Sequence, residues 1–382
     1  MTTDITMIER DLQDLWKTNV AEAAAVGHST TRALTLNLLA RAGDSAQADE
    51  MGAVIQQLTA SHPSRAVVLI DRPDSGDPQL AAWVQANCLL SAAGATQICG
   101  EQITIDSRGG LPGQVASLML PLLVPDLPVV LWMAGPQPFG HPLLARLRGL
   151  LDRMIVDSAE FADPLRGLVA MAAYESSHTV GPGAGPQPPA LSDLNWARLT
   201  PWRELTAQFF DTRPFLPHLR RLDHVEIDYV AGEGGLLRAL LLAGWLASSL
   251  GWDLIADGAG RDGDTIQLRV RRPGVGAASG DTRTVTIALR PVESADNALS
   301  GLSALHLRAV DNMLADFGVE RTDSPTCART LAQVDGQPTV SRLARVERAG
   351  VADLLAAELR LLSRDRTFSA ALQAAAGFAK SL

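Results

Sequence analysis

The segment His62-Pro63-Ser64-Arg65-Ala66-Val67-Val68-Leu69-Ile70 decides the fold of the first half of the chain. Its last five residues form an uninterrupted apolar run that follows a polar turn. Such a run is typical of a strand covered on both faces, as in a parallel sheet. Helical and strand patterns alternate on both sides of it, which predicts β-α-β units. We therefore expect residues 1–172 to form a doubly wound α/β domain with a largely parallel sheet.

The flanking elements are predicted from the spacing of apolar residues. An amphipathic helix opens the chain and ends at Gly27. Further helices are predicted at 49–60, 80–93, 114–123 and 143–151. Strands are predicted at 31–39, 96–105, 127–132 and 154–157.

The second half of the chain has a different pattern. The Gly- and Pro-rich stretch 173–193 predicts a linker, or alternatively a long loop inserted within one domain. Residues 236–250 are apolar on nearly every side, which predicts a buried helix. Strands are predicted at 224–230, 252–256, 265–271, 284–290, 303–310 and 327–333, and helices at 351–363 and 367–380. Clustered strands flanked by helices predict an α+β domain over residues 194–382.

Composition limits the classes of function. The 382 residues carry a net charge of −9, which argues against nucleic-acid or anionic-membrane partners because both need a cationic surface. The two lysines, Lys17 and Lys380, do not stand in a Gly-Lys-Ser/Thr context, so a P-loop is excluded. No apolar run is suited to spanning a bilayer, and the first residues do not resemble a signal peptide. We expect a cytoplasmic protein.

Motifs for catalysis or cofactor binding lack their required context. Gly258–Gly263 matches the dinucleotide spacing, but a strand pattern follows it where a helix is needed, so we predict a hairpin. The seven histidines show no zinc spacing, and we predict no metal, cofactor or catalytic residues. Cys88 lies in a predicted helix and is interpreted as a buried thiol. A redox pair of Cys88 with Cys99 is conceivable, and Cys327 is the third cysteine.

Two groups of residues are candidate binding sites. In the first, Arg65 could grip a phosphate or carboxylate together with His62 and Ser64, or form an ion pair in a capped turn. The second is strongly aromatic in a chain with only 4% aromatic residues. Trp and Arg dominate binding energy at protein interfaces, but packing between domains would use the same residues. The members of the second group are Trp196, Arg198, Trp202, Arg203, Phe209 and Phe210.

The segment Asp193-Leu194-Asn195-Trp196-Ala197-Arg198-Leu199-Thr200-Pro201-Trp202-Arg203 resembles the signature of the OpcA family, the glucose-6-phosphate dehydrogenase assembly proteins. The resemblance extends in order to the motifs His62-Pro63-Ser64-Arg65, Cys99-Gly100-Glu101, Leu127-Pro128-Val129-Val130-Leu131-Trp132 and Ala243-Gly244-Trp245-Leu246-Ala247. It implies a non-catalytic partner and allosteric activator of glucose-6-phosphate dehydrogenase that supports NADPH production in the oxidative pentose phosphate pathway. The family is typical of cyanobacteria and actinobacteria.

Two other functions stay open from the residues alone. The α/β domain and Arg65 are compatible with a sugar-phosphate-binding protein or enzyme. A passive scaffold would bind the dehydrogenase without changing its kinetics.

Overall fold

The computed structural model describes residues 4–90, 96–177, 189–232, 234–273, 283–293, 301–309, 314–324, 326–346, 348–361 and 363–382. The chain divides into two compact units, and each has its own sheet. The first unit contains Met1–Asp157, His178–Ser192 and Gly350–Arg364, and the second contains Ser158–Ser177, Asp193–Ala349 and Asp365–Leu382. The predicted fold class is confirmed: a largely parallel sheet comes first, and a mixed sheet with helices follows.

The sheet of the first unit is built mainly from parallel strands in the order β1-β5-β3-β2-β6-β7-β8, with β4 antiparallel beside β5. The central strand β3 pairs in parallel with β2 and β5, and its residues 66–70 are all at most 2% exposed, as the apolar run predicts. The strands are β1 (Ser29–Arg32), β2 (Leu36–Ala42), β3 (Ser64–Arg72), β4 (Gln79–Leu90), β5 (Thr96–Arg108), β6 (Val129–Met133), β7 (Arg153–Val156) and β8 (Ala190–Asp193).

The sheet of the second unit is antiparallel except for one parallel pair, β12 with β9, and its order is β10-β11-β12-β9-β13-β14-β15-β16. The predicted hairpin is confirmed, because β10 and β11 pair on either side of Gly263, which has a φ of 58°. The strands are β9 (His224–Val230), β10 (Asp253–Asp262), β11 (Thr265–Arg272), β12 (Arg283–Val292), β13 (Leu302–Ala309), β14 (Ala315–Arg321), β15 (Cys327–Val334) and β16 (Val340–Arg345).

Helices cover these sheets, and among those described none is long and apolar enough to cross a membrane. The predicted buried helix α9 is confirmed, with eleven buried residues. The helices are α1 (Ile5–Ala25), α2 (Ser45–Leu58), α3 (Pro112–Met119), α4 (Pro142–Leu147), α5 (Pro164–Ser176), α6 (Leu194–Ala197), α7 (Thr200–Phe210), α8 (Leu216–Leu219), α9 (Gly235–Leu250), α10 (Val351–Leu359) and α11 (Arg366–Ser381).

The helix predicted at 80–93 is wrong over residues 80–90, because residues 79–90 form strand β4, and residues 91–93 lie outside the described residues. β4 pairs with β5 over its whole length, from Gln79 opposite Arg108 to Leu90 opposite Gln97. The edge of β5 offers a complete ladder of hydrogen bonds, and tertiary pairing of this kind overrides local helix propensity.

The strand predicted at 31–39 is in fact two strands, β1 and β2. The chain changes partner between them: the amide of Ala33 donates to the carbonyl of Cys99, and the amide of Thr35 donates to the carbonyl of Pro63. The local apolar pattern continues through this change, so the break could not be seen in the sequence.

The two units do not divide at the predicted boundaries 172 and 194. Each unit also contains a segment from the other side of these boundaries. α5 belongs to the second unit, where it packs against α11. The segment that contains α10 belongs to the first unit, where the guanidinium of Arg153 donates to the carbonyls of Leu361 and Ser363. Of the predicted linker 173–193, residues 173–176 end α5 and residues 190–193 form β8, while 178–188 lie outside the described residues.

Candidate functional site

Arg65 lies at the start of β3, and its Nε and Nη1 make hydrogen bonds inside the first unit. Nε donates to the carboxylate of Glu101 at 2.7 Å, and Nη1 donates to the carbonyl of Leu122 at 2.9 Å and to Glu9 at 3.3 Å. The side chain is 8% exposed, and that of Glu101 is 0% exposed. Of the two interpretations of this motif, the structure therefore supports a buried ion pair.

Glu101 is the centre of this cluster. Besides Arg65, the indole of Trp16 donates to it at 2.6 Å, and the guanidinium of Arg32 lies 2.5 Å away. A carboxylate without exposure needs such donors, because an uncompensated charge in the interior is strongly destabilising. The motif Cys99-Gly100-Glu101 thus ties α1, β1 and β3 to β5.

His62 and Ser64 have local roles beside Arg65. The ring Nδ1 of His62 lies 2.9 Å from the hydroxyl of Ser61, and burial, with a smaller contribution from the charge of Arg360, lowers the pKa of His62. Ser64 is buried against Gly100, where an added Cβ atom would come within 2.8 Å of the Ser64 carbonyl oxygen. The polar motif before β3 therefore packs β3 closely against β5.

The signature segment begins with a buried carboxylate in the second unit. Asp193 accepts hydrogen bonds from the amide and the hydroxyl of Ser158, at 2.9 and 2.8 Å, and from the amide of Asn195 at 3.0 Å. Asn195 in turn accepts from the guanidinium of Arg238 and donates to the carbonyl of Gly234 at 3.3 Å. These polar residues connect the start of α6 to the N-terminal end of α9.

Trp196 is 3% exposed and has contacts on all sides. The guanidinium of Arg203 lies 3.8 Å from the centre of its ring, which is a close cation–π contact. The ring of Phe368 packs at 5.6 Å, and the indole nitrogen donates to Asp365 at 3.1 Å. Arg203 also donates to the hydroxyl of Thr200. This tryptophan therefore fastens α6 to α7 and α11.

The remaining aromatic residues of the segment form the core of the second unit. Trp202 is 4% exposed, and the guanidinium of Arg321 lies 5.8 Å from its ring centre. Phe317 of β14 is fully buried. Four aromatic rings surround it at centroid distances of 5.0 to 6.1 Å, those of Phe209, Phe210, Phe215 and His218.

The six residues predicted as a partner-binding surface differ in their exposure. Trp196, Trp202 and Phe209 are buried, whereas Arg198, Arg203 and Phe210 are partly exposed. The packing alternative is closer to the structure, except that the packing lies within one unit. The strong local enrichment in Trp and Arg thus marks a core in which α6, α7, α11 and the second sheet meet.

The Gly in the motif Ala243-Gly244-Trp245-Leu246-Ala247 also has a packing role. α9 and α11 lie against each other at Gly244, and an added Cβ atom there would come within 2.3 Å of the Ala371 carbonyl oxygen. Only a residue without a side chain allows the two helices to approach this closely.

Cys88 and Cys99 form a disulfide across β4 and β5, where they are direct partners in the register. The interpretation of Cys88 as a helical thiol is therefore wrong, and the pairing that the sequence left open is present. The separation of Cys88 and Cys99 in the sequence does not by itself fix the distance between them, because their pairing depends on β4 being a strand. Cys327 is a free, partly exposed thiol.

The second sheet has one buried face and one face whose residues are partly or fully exposed. Along β9, the buried residues Val225, Ile227 and Tyr229 alternate with half-buried polar residues. The buried residues face the helices. We call the other face the open face, and define it by His224, Glu226, Asp228, Arg269, Arg271, Arg290, His306, Arg308, Asp316, Glu320, Arg329, Leu331, Gln333 and Leu343.

A network of ion pairs occupies the middle of the open face. Glu226 lies 2.8 Å from the guanidinium of Arg308 and 3.3 Å from the nearest side-chain nitrogens of Arg290 and His224. Arg290 makes two hydrogen bonds to Asp228, at 2.7 and 3.0 Å. These groups are hydrogen-bonded along the face and are not directed at a single point, so they do not form an acid–base site.

His306 bridges two carboxylates in this network. Its Nδ1 lies 3.1 Å from Asp316 and its Nε2 lies 3.3 Å from Glu320, with the ring above Gly318. The hydrogen bond to Asp316 raises the pKa of His306, and burial and the charge of Arg308 oppose this rise. Burial raises the pKa of Asp316, but hydrogen bonds from His306 and Arg308 outweigh it and lower that pKa overall.

A cavity of about 350 Å³ opens at one end of this network. Arg308 and Asp316 line its inner side, and the hairpin between β15 and β16 contributes Asp335 and Gln337. Leu314, which is 61% exposed, borders it. The residues that the structure describes contain no group of three or more side chains able to hold a metal ion, at this cavity or at any other place.

Two family models match the chain in order. The first, which describes the N-terminal domain of a glucose-6-phosphate dehydrogenase subunit, matches residues 55–173. The second, which describes the C-terminal domain of the same kind of subunit, matches residues 189–372. Both models carry the family name OpcA, and together they cover most of the chain.

Similar proteins named OpcA, of the OxPP cycle, occur in three organisms. The chain is 31% identical to the protein from Synechocystis sp. over 53% of its own length and 40% of that protein. It is 32% identical to the protein from Nostoc punctiforme over 69% and 53%, and 31% identical to that from Synechococcus elongatus over 68% and 55%. The chain thus matches about half the length of these relatives.

Among solved structures, an NAD binding oxidoreductase from Klebsiella pneumoniae is similar over 91% of this chain and 96% of that chain, with a TM-score of 0.45 and 10% identity. A similarity at this level does not bear on function.

Proposed function

Because the chain belongs to the OpcA family of glucose-6-phosphate dehydrogenase subunits, we propose that it binds glucose-6-phosphate dehydrogenase and activates it in the oxidative pentose phosphate pathway. The observation that carries this proposal is the match of both domain models, in order. The relatives named OpcA, of the OxPP cycle, support it. In this proposal the chain is a non-catalytic partner.

An activator of this kind acts by binding one state of its partner more tightly than another. Converting a partner from about 1% to about 99% active state requires about 5.5 kcal/mol of differential binding energy. A protein interface with a few well-packed anchors can provide this amount, since single anchors contribute about 2 kcal/mol or more. Activation of this kind therefore does not require that this chain catalyse a reaction.

In this proposal the aromatic segment contributes to the function by stabilising the second unit. Because Trp196 and Trp202 are buried, we propose that the segment holds α6 and α7 in position. It thereby maintains the conformation of the surface of the second unit. Arg203→Ala removes the cation–π contact to Trp196, and we expect it to lower activation only in parallel with stability, with recovery at lower temperature. Reduced activation in a variant of full stability would instead indicate direct contact with the dehydrogenase.

The function is tested by mixing the purified chain with its cognate dehydrogenase. We expect the two proteins to elute together in size-exclusion chromatography, and dehydrogenase activity to rise with added chain until it saturates at a fixed ratio. Binding without any change in kcat or KM would indicate a passive scaffold. Absence of both binding and activation would reject the proposal.

The alternative function, that of a sugar-phosphate enzyme or binding protein, is tested with the chain alone. The residue that suggested this alternative, Arg65, is committed to Glu101 and the Leu122 carbonyl. We expect calorimetry with glucose 6-phosphate to show no binding and assays without the dehydrogenase to show no turnover. Tight binding or turnover by the isolated chain would support the alternative.

A further inference from the structure

β4 forms a long edge of the sheet in the first unit. Its twelve residues, Gln79–Leu90, pair with β5 without any shift in register, and β1 and β3 lie on the opposite side of β5. No other strand among the described residues pairs with β4. All of its residues except Asn87 are partly or fully exposed. Its outer side therefore offers a row of backbone groups to a further strand.

The backbone groups that point outward belong to every second residue of β4. In an antiparallel pair, opposite residues alternate between those joined by hydrogen bonds, with Cα atoms about 5.5 Å apart, and those without, at about 4.5 Å. Cys88 and Cys99 are of the second kind, since their Cα atoms are 4.1 Å apart and the Cys99 carbonyl accepts from Ala33 on the other side of β5. The amide and carbonyl of Cys88 consequently point away from β5. The same holds for Leu80, Ala82, Val84, Ala86 and Leu90.

The other edge strands of the two sheets have features that normally prevent pairing between chains, namely shortness, charges and bulges. β1 and β8 have four residues each. β10 contains a shift in register and several charged residues, and β16 contains two arginines. β4 is much longer than β1 or β8, and it contains no charged residue and no proline. Among the described edges, β4 is therefore the one suited to pairing with another strand.

We propose that two copies of this chain form a dimer by antiparallel pairing of their β4 strands, which joins the two sheets into one. The inference goes beyond the proposed function and does not rest on it. A twofold axis beside Gln85 pairs all the outward-pointing residues, because it places Leu80 opposite Leu90 and Val84 opposite Ala86 of the second copy. Each outward-pointing residue then donates one hydrogen bond and accepts one across the axis.

The residues of β4 favour a second copy as the partner. In this register each strand complements its own copy, since leucines meet at both ends and no charge faces a like charge. The nearest acidic residues before β4 are Asp74 and Asp77. Antiparallel pairing places these loops of the two copies at opposite ends of the ladder, more than about 35 Å apart. Charges are screened over roughly 8 Å at physiological salt, so these carboxylates do not oppose the pairing.

The size of the interface predicts a weak dimer. The paired segment is about 35 Å long and a sheet with its side chains is about 10 Å thick, which gives roughly 350 Å² on each copy. Standard interfaces bury about 800 Å² on each partner, and smaller ones are transient. Trp83, which is 46% exposed, and Leu90, which is 53% exposed, add apolar anchors along the strand. We therefore expect a reversible dimer that dissociates at micromolar concentrations.

The test measures the mass of the purified full chain by analytical ultracentrifugation as a function of concentration, without the dehydrogenase. We expect the mass to rise from that of one chain towards that of two. Ala82→Pro removes an outward N–H but no hydrogen bond between β4 and β5, and Trp83→Lys places a charge on the edge. We expect each substitution to raise the Kd of the dimer by about tenfold or more.

The matched control is Leu150→Lys. Leu150 is 48% exposed, close to the value for Trp83, and lies in the turn before β7, on the other side of the sheet from β4. We expect the Kd of this variant to stay within about twofold of the unaltered chain, since surface changes away from an interface cost little. Circular dichroism and urea unfolding verify that all variants are folded.

A cysteine at the proposed axis tests the register. Gln85→Cys, combined with Cys327→Ser to remove the free thiol, would face its own copy in a pair without hydrogen bonds. We expect oxidation by copper phenanthroline to convert this variant into a covalent dimer on a non-reducing gel. Gln208→Cys in the same background, at an exposed position of α7, is the control and should stay monomeric.

The inference is overturned if the unaltered chain stays monomeric up to about 100 μM, well above the Kd expected of a transient interface. It is also overturned by a dimer that both edge variants leave intact and that Gln85→Cys does not cross-link, since such a dimer forms at another surface. If the chain alone is monomeric and Trp83→Lys weakens binding to the dehydrogenase, the dehydrogenase occupies the edge and the inference fails. The proposed function is judged separately, by the mixing experiment with the dehydrogenase.

Discussion

At the residue scale, the signature of the family is a set of buried polar partners. Asp193 is fully buried and accepts three hydrogen bonds from Ser158 and Asn195, so its carboxylate completes the hydrogen bonding where α6 begins. A buried donor that loses its acceptor keeps its full cost of desolvation. Asp193, the first residue of the signature segment, is thus one whose loss would damage the fold.

We predict that Asp193→Ala lowers the free energy of unfolding by about 3 kcal/mol, because it leaves three buried donors without their acceptor. The measurement is urea unfolding at neutral pH. Asp211→Ala, at an exposed carboxylate after α7, is the control and should change the value by less than about 0.5 kcal/mol. Equal effects of the two substitutions would contradict the role given to Asp193.

His306 makes stability depend on pH. Its pKa in the folded chain is raised above the usual 6.5, first by the hydrogen bond to Asp316 and then by Glu320. The protonated ring therefore stabilises the folded state fully below pH 6.5, and this contribution is lost as the pH rises through the raised pKa. We predict that the unaltered chain loses stability relative to His306→Gln as the pH is raised above 6.5. A difference that is constant with pH would refute this.

At the element scale, close helix packing explains a glycine that sequence propensity disfavours. Ala is normally better than Gly inside a helix by about 1 kcal/mol. Gly244 of α9 is an exception, since a Cβ atom there would clash with the backbone of α11. Gly52 of α2 is no such exception, because the nearest atom to its added Cβ is the side-chain amide nitrogen of Gln102 at 3.4 Å, an ordinary van der Waals distance.

We predict opposite effects of the same substitution in these two helices. Gly244→Ala should lower the free energy of unfolding by about 1–3 kcal/mol, since the backbone of α11 must move away. Gly52→Ala should leave it unchanged or raise it by up to about 1 kcal/mol. Both are measured by thermal and urea unfolding, and a stabilising Gly244→Ala would show that α9 and α11 are not in close contact.

At the scale of the whole molecule, the chain passes between the two units several times, so no single position in the sequence separates them. α5 is held in the second unit by two hydrogen bonds to α11: Gln373 donates to the carbonyl of Ala172 at 3.0 Å, and Ser369 donates to Glu175 at 2.6 Å. Its residues Leu168 and Met171 are completely buried. A boundary placed at 172 would therefore remove part of the core of the second unit.

We predict that residues 158–382 form a soluble, cooperatively unfolding fragment, whereas residues 189–382 do not. The shorter fragment lacks α5 and would expose the apolar surface that Leu168 and Met171 cover, at a cost of about 4 kcal/mol. Solubility and urea unfolding of the two fragments, expressed side by side, provide the measurement. Equal stability would show that α5 is not part of the second unit.

The sequence by itself determined the features that depend on a few neighbouring residues. The apolar run 66–70, the buried α9 and the turn at Gly263 were all predictable, because hydrophobic periodicity and turn chemistry act locally. The ordered motifs, with the Asp193–Arg203 segment as the most specific, also identified the family, which the domain models confirm. For the candidate site, the sequence located the aromatic segment along the chain but not the burial of Trp196, Trp202 and Phe209.

Only the tertiary structure decided where those residues face. Residues 79–90 are a strand because they pair with β5. Trp196 is buried by Phe368 and Asp365, which lie about 170 residues further along the chain. α5 belongs to the second unit because it packs against α11. Each outcome depends on contacts between distant segments. Local spacing contains no information on such contacts, so burial, strand pairing and the extent of the open face could not be predicted from it.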